Sequence, residues 1–416
     1  MVYTKTNDWR LQKGIGALIK HVAALVASAI LAWAAWSNAL GNVTMLRQPE
    51  FALGAVGLGD YPAARLAETK MIRSPRRFNP QTLAALARSS LKAQAINSTA
   101  LRLLAVEPKS NDGVKKSAAL LFLSSRVSRR DVGTQLALVE FYVSKEDARH
   151  TIYHYDSAMR VSNEVEPVLF PILADALEGS NIQQALALSI KSSPRWLPSF
   201  IGYVVGRSKN STGLANAIML AGGLPKQPEA YRSLETQILG ALASAKEFTM
   251  LRSYFLSLSG ADSGIFQIGE FTSNNTDGRF LPLTWQTFGS SMVSVRFESE
   301  DHSHQKKLDV EISADEGAIA ARKLLFLSAG QRRVSINYEF LDRGKDASAM
   351  LTLECLDAPA TQVIWQMDLR AVSGVQRKSG VSSIPEKCVA QYLAVNVAGG
   401  SANDGMRLLV TGISIK

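Results

Sequence analysis

The chain has 416 residues, 46% of them hydrophobic and 20% charged. That composition excludes a disordered protein, and the length exceeds one ordinary core, so two or three domains are expected. The formal net charge of +10 suits an anionic partner, yet Lys and Arg are scattered, with no run of five or more, which argues against nucleic acid.

Residues 1–21 form a basic N-terminus containing Lys5, Arg10, Lys13 and Lys20. Residues 22–40 follow as an apolar segment, and Val22 to Trp36 holds no charge and a single hydroxyl. With "SNAL" behind it, the stretch approaches the roughly 20 residues needed to cross a bilayer. The cations lie on its N-terminal side and the next charge is Arg47, which predicts a cytoplasmic N-terminus and export of the rest. Trp33 and Trp36 suit the far interface. A retained anchor is favoured by the reach to Leu40, and a secretory signal cleaved near Ser37-Asn38-Ala39 is the alternative. Residues 41–50 read as a linker. Gly54, Gly57 and Gly59 beyond it fit neither the dinucleotide nor the Walker spacing, so they read as a join to the next domain.

From 51 to 260 the apolar residues recur at three and four, as in Leu83, Leu86, Ala87 and Leu91. After the break at Asn97-Ser98-Thr99, Ala100, Leu103 and Leu104 begin a second stripe, and Pro108 closes it. Helix pairs follow in units of roughly 30 to 40 residues, each unable to bury its own apolar face. Small residues in the first helix, an Ala opening the second and a Pro near the unit's end resemble the tetratricopeptide-repeat class. That resemblance implies an α-helical solenoid with a concave protein- or peptide-binding surface. No unit meets the family's full pattern, and Pro167, Pro171 and Pro198 interrupt helices it would leave whole; a generic helical bundle is the alternative. His150 and His154 share a helix face with Glu146, but they lack a zinc protease's Glu after the first His and a third ligand, and so read as packing residues.

Near Gly264 the period switches to two. Val334, Ile336, Tyr338 and Phe340 alternate with polar residues; Leu351, Leu353 and Cys355 share a face, as do Val363, Trp365, Met367 and Leu369. About nine short strands over residues 264–416 predict an antiparallel β-sandwich of jelly-roll type. Their spacing and the paired cysteines resemble the non-catalytic carbohydrate-binding jelly rolls appended to bacterial envelope proteins. The likeness implies a fold and transfers no binding site. Sugar binding would need an exposed aromatic. Tyr338 and Trp365 share parity with aliphatic neighbours and read as core, whereas Trp285 and Tyr392 are not pinned by parity and are the glycan-binding candidates. Asp301, His302 and His304, with Glu298 and Glu300, form a polar hairpin tip and the weak metal candidate.

The two cysteines, Cys355 and Cys388, lie 33 positions apart in the predicted sandwich. Export would place them in an oxidising compartment, where a lone pair bonds, with two separate buried thiols as the alternative. No nucleophile elbow, Cys–His pairing or cysteine cluster marks an enzyme, and no cofactor is implied. The plan resembles accessory proteins of envelope and exopolysaccharide assembly: an inner-membrane protein with one anchor and two periplasmic modules. The leading expectation is a non-enzymatic scaffold whose helices bind a partner protein, with acidic polysaccharide as a further partner. A glycan-binding protein is the alternative, and a polysaccharide-modifying enzyme the third.

Overall fold

The computed structural model describes residues 8–45, 47–55, 62–73, 79–106, 111–207, 210–225, 230–268, 270–299, 305–313, 316–344, 346–357, 361–370, 372, 374–400 and 405–416. The chain has a helical N-terminal region and a C-terminal antiparallel β-sandwich. It divides into two compact units, Met1–Val165 and Glu166–Lys416.

The first unit opens with the long helix Asp8–Thr44, whose stretch Lys20–Gly41 is long and apolar enough to cross a membrane and is almost wholly exposed. Shorter helices follow, started by side chains that accept the orphan amides of the first turn. Asn79 accepts from Gln81 N, Asn97 from Ala100 N, Asp131 from Thr134 N and Asp147 from His150 N. At the break before Ala100 the cap is thus the amide of Asn97, while Ser98 and Thr99 are already helical.

In the second unit Pro167 and Pro198 fall in the first turn of helices Glu166–Ala176 and Leu197–Arg207, where a missing N–H costs little; only Pro171 lies in a helix interior. The expected interruptions at 167 and 198 are therefore helix starts. Helix Ser180–Ile190 packs on Ser211–Ala221, and Leu197–Arg207 on Ala230–Ser244, so alternate helices stack. Gly213 permits helix Ser211–Ala221 to approach the turn after Glu166–Ala176: a Cβ there would lie 2.3 Å from the Leu177 carbonyl oxygen.

The sandwich has eleven strands among the described residues: β1 (Phe271–Thr272), β2 (Gln286–Thr287), β3 (Val293–Ser299), β4 (Gln305–Ile312), β5 (Gly317–Leu325), β6 (Gly330–Arg343), β7 (Ser348–Cys355), β8 (Gln362–Leu369), β9 (Gln376–Ile384), β10 (Gln391–Ala398) and β11 (Met406–Ile415). One sheet runs β1-β4-β11-β6-β9, with β3 beside β4; the other runs β2-β5-β10-β7-β8. From β4 to β7 each strand changes sheet, and the orders β4-β11-β6-β9 and β5-β10-β7-β8 give jelly-roll connectivity. Val334, Ile336, Tyr338 and Phe340 all point into the shared core, as period two requires. On β8 the alternation slips. A bulge beside Leu353/Glu354 leaves Val363 half exposed and turns Trp365, Met367 and Leu369 inward.

The expected domain boundary near residue 260 is bridged by an aromatic cluster within the second unit. Phe255 of helix Phe248–Ser257 meets Phe266 and Phe280 edge-on at 5.3 and 5.1 Å, and Phe248 and Phe266 both meet Phe326. Arg252 lies over the Phe266 and Phe326 rings. Buried Lys323 donates to the Gln267 carbonyl oxygen at 3.1 Å.

Cys355, at the end of β7, is bonded to Cys388 in the loop before β10, with Cα atoms 5.7 Å apart. Closing a loop of this separation stabilises a fold by roughly 3–4 kcal/mol in the chain-entropy model. Replacing both cysteines by Ala should lower the sandwich's unfolding free energy by about that amount, read by urea denaturation. Intact protein should also gain two mass units on reduction, roughly 2 Da for one bridge.

Candidate functional site

Every strand of a sandwich has one face for the core and one turned outward. The outward face of the β1-β4-β11-β6-β9 sheet is charged and carries a paired cluster. Asp309, almost fully buried among its neighbours, accepts from Arg407 at 3.0 and 2.8 Å and from Arg296 at 2.8 Å. The Arg407 hydrogen bonds are the main cause that holds the Asp309 carboxyl below the usual carboxylate range.

The other sheet differs. On β10, Leu393, Val395 and Val397 fill the core, so Tyr392, Ala394 and Asn396 face outward; on β7 the same alternation turns Met350, Thr352 and Glu354 outward. Register places Tyr392 opposite Glu354, and Ala394 between Thr352 and Arg322. The Arg322 guanidinium lies 4.4 Å from the Tyr392 ring centroid and 4.8 Å from that of Phe288. The Asn396 amide donates to the Thr352 hydroxyl at 2.8 Å, and Gln366 stands exposed on β8 opposite Thr352. Ala394 and Thr352 are only 1% and 3% exposed although they face outward, so the larger side chains around them wall a low floor. An aromatic ring with stacked guanidinium, a carboxylate and two amides around a small-residue floor can contact both the apolar faces and the hydroxyls of a polar ligand.

Of the residues singled out in the sequence, Tyr392 belongs to this face. Trp285 does not: it is 3% exposed and packs against Phe271 in the core at 5.3 Å, so it offers no ring to a glycan. It lies in the loop before β2, where its N–H donates to the Asn275 carbonyl oxygen, a contact with no periodic signature. Asp301, His302 and His304 lie outside the described residues, as do Gly57 and Gly59; Glu298 pairs with Arg296. Arg322, Glu354, Asn396, Thr352 and Gln366 were not anticipated. The signal available for them was the complementary phase of "YLAVNVA" and "LTLEC", whose inward residues define an outward set by exclusion.

Cys355, Cys388 and Asp357 approach one another as a metal site would require. The sulfurs are bonded to each other, however, and the Asp357 carboxylate accepts the Val389 and Ala390 amides at 2.5 and 2.9 Å.

Comparison with known proteins assigns no family. No protein-family model matches the chain, and no curated protein matches it. Solved structures resemble it over about a third of its length. The C-terminal family 22 carbohydrate-binding module of Clostridium thermocellum Xyn10B is 14% identical, with 37% of this chain and 96% of that one covered and a TM-score of 0.25. A module solved in complex with beta-1,4-galactotriose is 12% identical, with 35% and 97% covered and a TM-score of 0.24. The enzymatically active domain of a tailspike from Bacteriophage CBA120 is 10% identical, with 32% and 19% covered and a TM-score of 0.23, so this chain spans under a fifth of that one. Similarity of this size assigns no activity.

The first unit holds a cavity of about 690 Å³ lined by Arg65, Thr69, Ser98, Thr99, Ser128 and Leu136, among others. Beneath it Arg102 pairs with Glu68 at 2.5 Å and Asp131 at 3.5 Å. A Cβ at Gly133 would lie 2.6 Å from the Arg102 guanidinium carbon, so a side chain there would displace that guanidinium from its pairing.

His150 and His154 both stack on Tyr142, with ring centroids at 4.7 and 5.4 Å and planes within 15°. His154 is 6% exposed, and its Nδ1 donates to the Gln135 amide oxygen at 2.8 Å. Burial, and then the charge of His150, push its pKa down to about 4 from an ordinary 6.5. Above pH 6.5 both folded and unfolded chains hold this imidazole neutral. As pH falls from 6.5 towards 4 only the unfolded chain takes the proton, so stability drops across that window. Urea unfolding should show this loss in the native chain and a smaller pH slope in His154→Gln.

Proposed function

We propose that the chain is a membrane-anchored glycan-binding protein that takes carbohydrate on the outward face of the β2-β5-β10-β7-β8 sheet. The observation that carries this reading is the grouping of Tyr392, Arg322, Glu354, Asn396 and Gln366 around Ala394 on that face. On the opposite sheet the outward charges Arg296, Asp309 and Arg407 pair with one another. In this reading the domain binds sugar and does not transform it. The Lys20–Gly41 stretch is the anchor, with the N-terminus cytoplasmic, and the Cys355–Cys388 bond fits an oxidising, periplasmic location for the remainder. A role in envelope or exopolysaccharide assembly is consistent with that placement.

Affinity electrophoresis of the full chain against neutral and acidic polysaccharides tests the face. Retardation by at least one glycan is expected, weakened about tenfold by Tyr392→Ala, an effect of about 1.4 kcal/mol. Ser335→Ala, on the outward side of the other sheet, should leave it unchanged. Absence of retardation across the panel, or equal retardation of the Tyr392 variant, would overturn the assignment.

The cavity in the first unit supports a second, compatible reading in which the helices form a tetratricopeptide-like scaffold that docks a partner segment. Ser128→Arg would project a long cationic side chain from the lining of that cavity and obstruct part of it. It should abolish capture of a protein partner while glycan retardation persists.

A further inference from the structure

The charge of the chain is divided unevenly. Residues 1–165 contain 22 Lys/Arg and 12 Asp/Glu, whereas residues 166–416 contain 24 of each, so the whole excess of +10 belongs to the first unit. Of the first unit's charges, 18 cationic and 11 anionic residues follow residue 40. The second unit, which carries the proposed glycan face, is neutral.

The same unit is fixed to the end of the apolar helix. The stretch Lys20–Gly41 has 22 residues, about 33 Å of helix, and so spans a hydrocarbon core of about 30 Å with little to spare. Two residues of its last turns, Ser37 at 1% exposure and Gly41, are nonetheless buried by protein. The long helix continues to Thr44, and the short helix Pro49–Ala55 turns back to pack on it, burying Pro49 and Ala52. Helix Pro49–Ala55 in turn packs on Ala63–Arg73. Protein that covers Ser37 and Gly41 while the helix spans a bilayer has to lie against the headgroups. The exposed residues on and beside these helices have the amphipathic make-up of an interface: Trp33 and Trp36, whose rings are 5.5 Å apart, then Val43 and Phe51, 52% exposed, with Arg47 and with Lys70, which pairs with the exposed Glu50 at 3.6 Å.

We infer that the first unit is a membrane-surface module, seated through Phe51 and its neighbouring cations on the anionic lipid headgroups around its own anchor. The inference rests on the reading of Lys20–Gly41 as a retained span. The tether removes the entropic cost of encounter, and each Lys or Arg at an anionic surface strengthens association about fivefold. An excess of cations on this unit alone is what such a surface requires, and a soluble glycan would place no demand on the burial of Ser37 and Gly41.

The full chain with Phe51→Cys, labelled with an environment-sensitive fluorophore, tests this, because the two other cysteines are bonded to each other. It is reconstituted into phosphatidylcholine vesicles with and without phosphatidylglycerol, at low and high salt. A blue shift that is larger in the anionic vesicles, reversed by salt and reduced by Arg47→Gln with Lys70→Gln is the expected result. Identical spectra in both lipids, from protein that resists carbonate extraction, would overturn the surface contact while leaving the span intact. Release by carbonate would overturn the span and the contact together.

Discussion

The organising constraint of the second unit is that a strand in a two-layer sandwich has only one face to give away. β10 shows this most directly. Leu393, Val395 and Val397 are committed to the core, and both edges of the strand are hydrogen-bonded, to β5 and β7. Whatever chemistry that strand performs has to come from Tyr392, Ala394 and Asn396. The two sheets resolve the constraint in opposite ways. One ties its outward charges into the Arg296–Asp309–Arg407 cluster, and the other keeps small residues at the centre with long polar ones around them.

The helices and the sandwich of the second unit are likewise not independent. Five phenylalanines and two arginine guanidinium contacts join helix Phe248–Ser257 to the segment entering the sandwich and to the end of β5. Edge-on aromatic contacts of this kind are directional as well as apolar, so they fix an orientation in addition to excluding water. Strand β5, which carries Arg322, is held at its far end by this junction.

Much of the architecture was legible because periodicity is a local property. Val334 to Phe340 announce a half-buried strand without reference to anything distant, and the apolar stretch at 22–40 stands out by its length and composition. The candidate face was only partly legible. Tyr392 could be named because its parity was free, but Arg322 and Glu354 become its neighbours through the registers β10–β5 and β10–β7, which join residues far apart in the chain. Trp285 is illegible for a related reason: it lies in the loop just before the two-residue strand β2, where there is no period, so burial against Phe271 leaves no trace in the local pattern. Val363 failed because a bulge shifts phase by one residue, which an alternation rule cannot foresee. The first unit's excess of cations was present in the composition, but it acquires a location only once the unit is delimited.

The loop that leads into β10 is held more firmly than its exposure suggests. Cys388 is bonded to Cys355, the Val389 and Ala390 amides are gathered by Asp357, and the buried Gln391 side chain donates to the Cys388 carbonyl and accepts from Leu327 N–H. The next residue is Tyr392. Its ring therefore starts from a backbone that has already lost its freedom, and a ligand settling against it would order little that is not already ordered. The disulfide is thereby a form of stored preorganisation, and the thiol–disulfide poise of the surroundings sets how rigid the Tyr392 face can be.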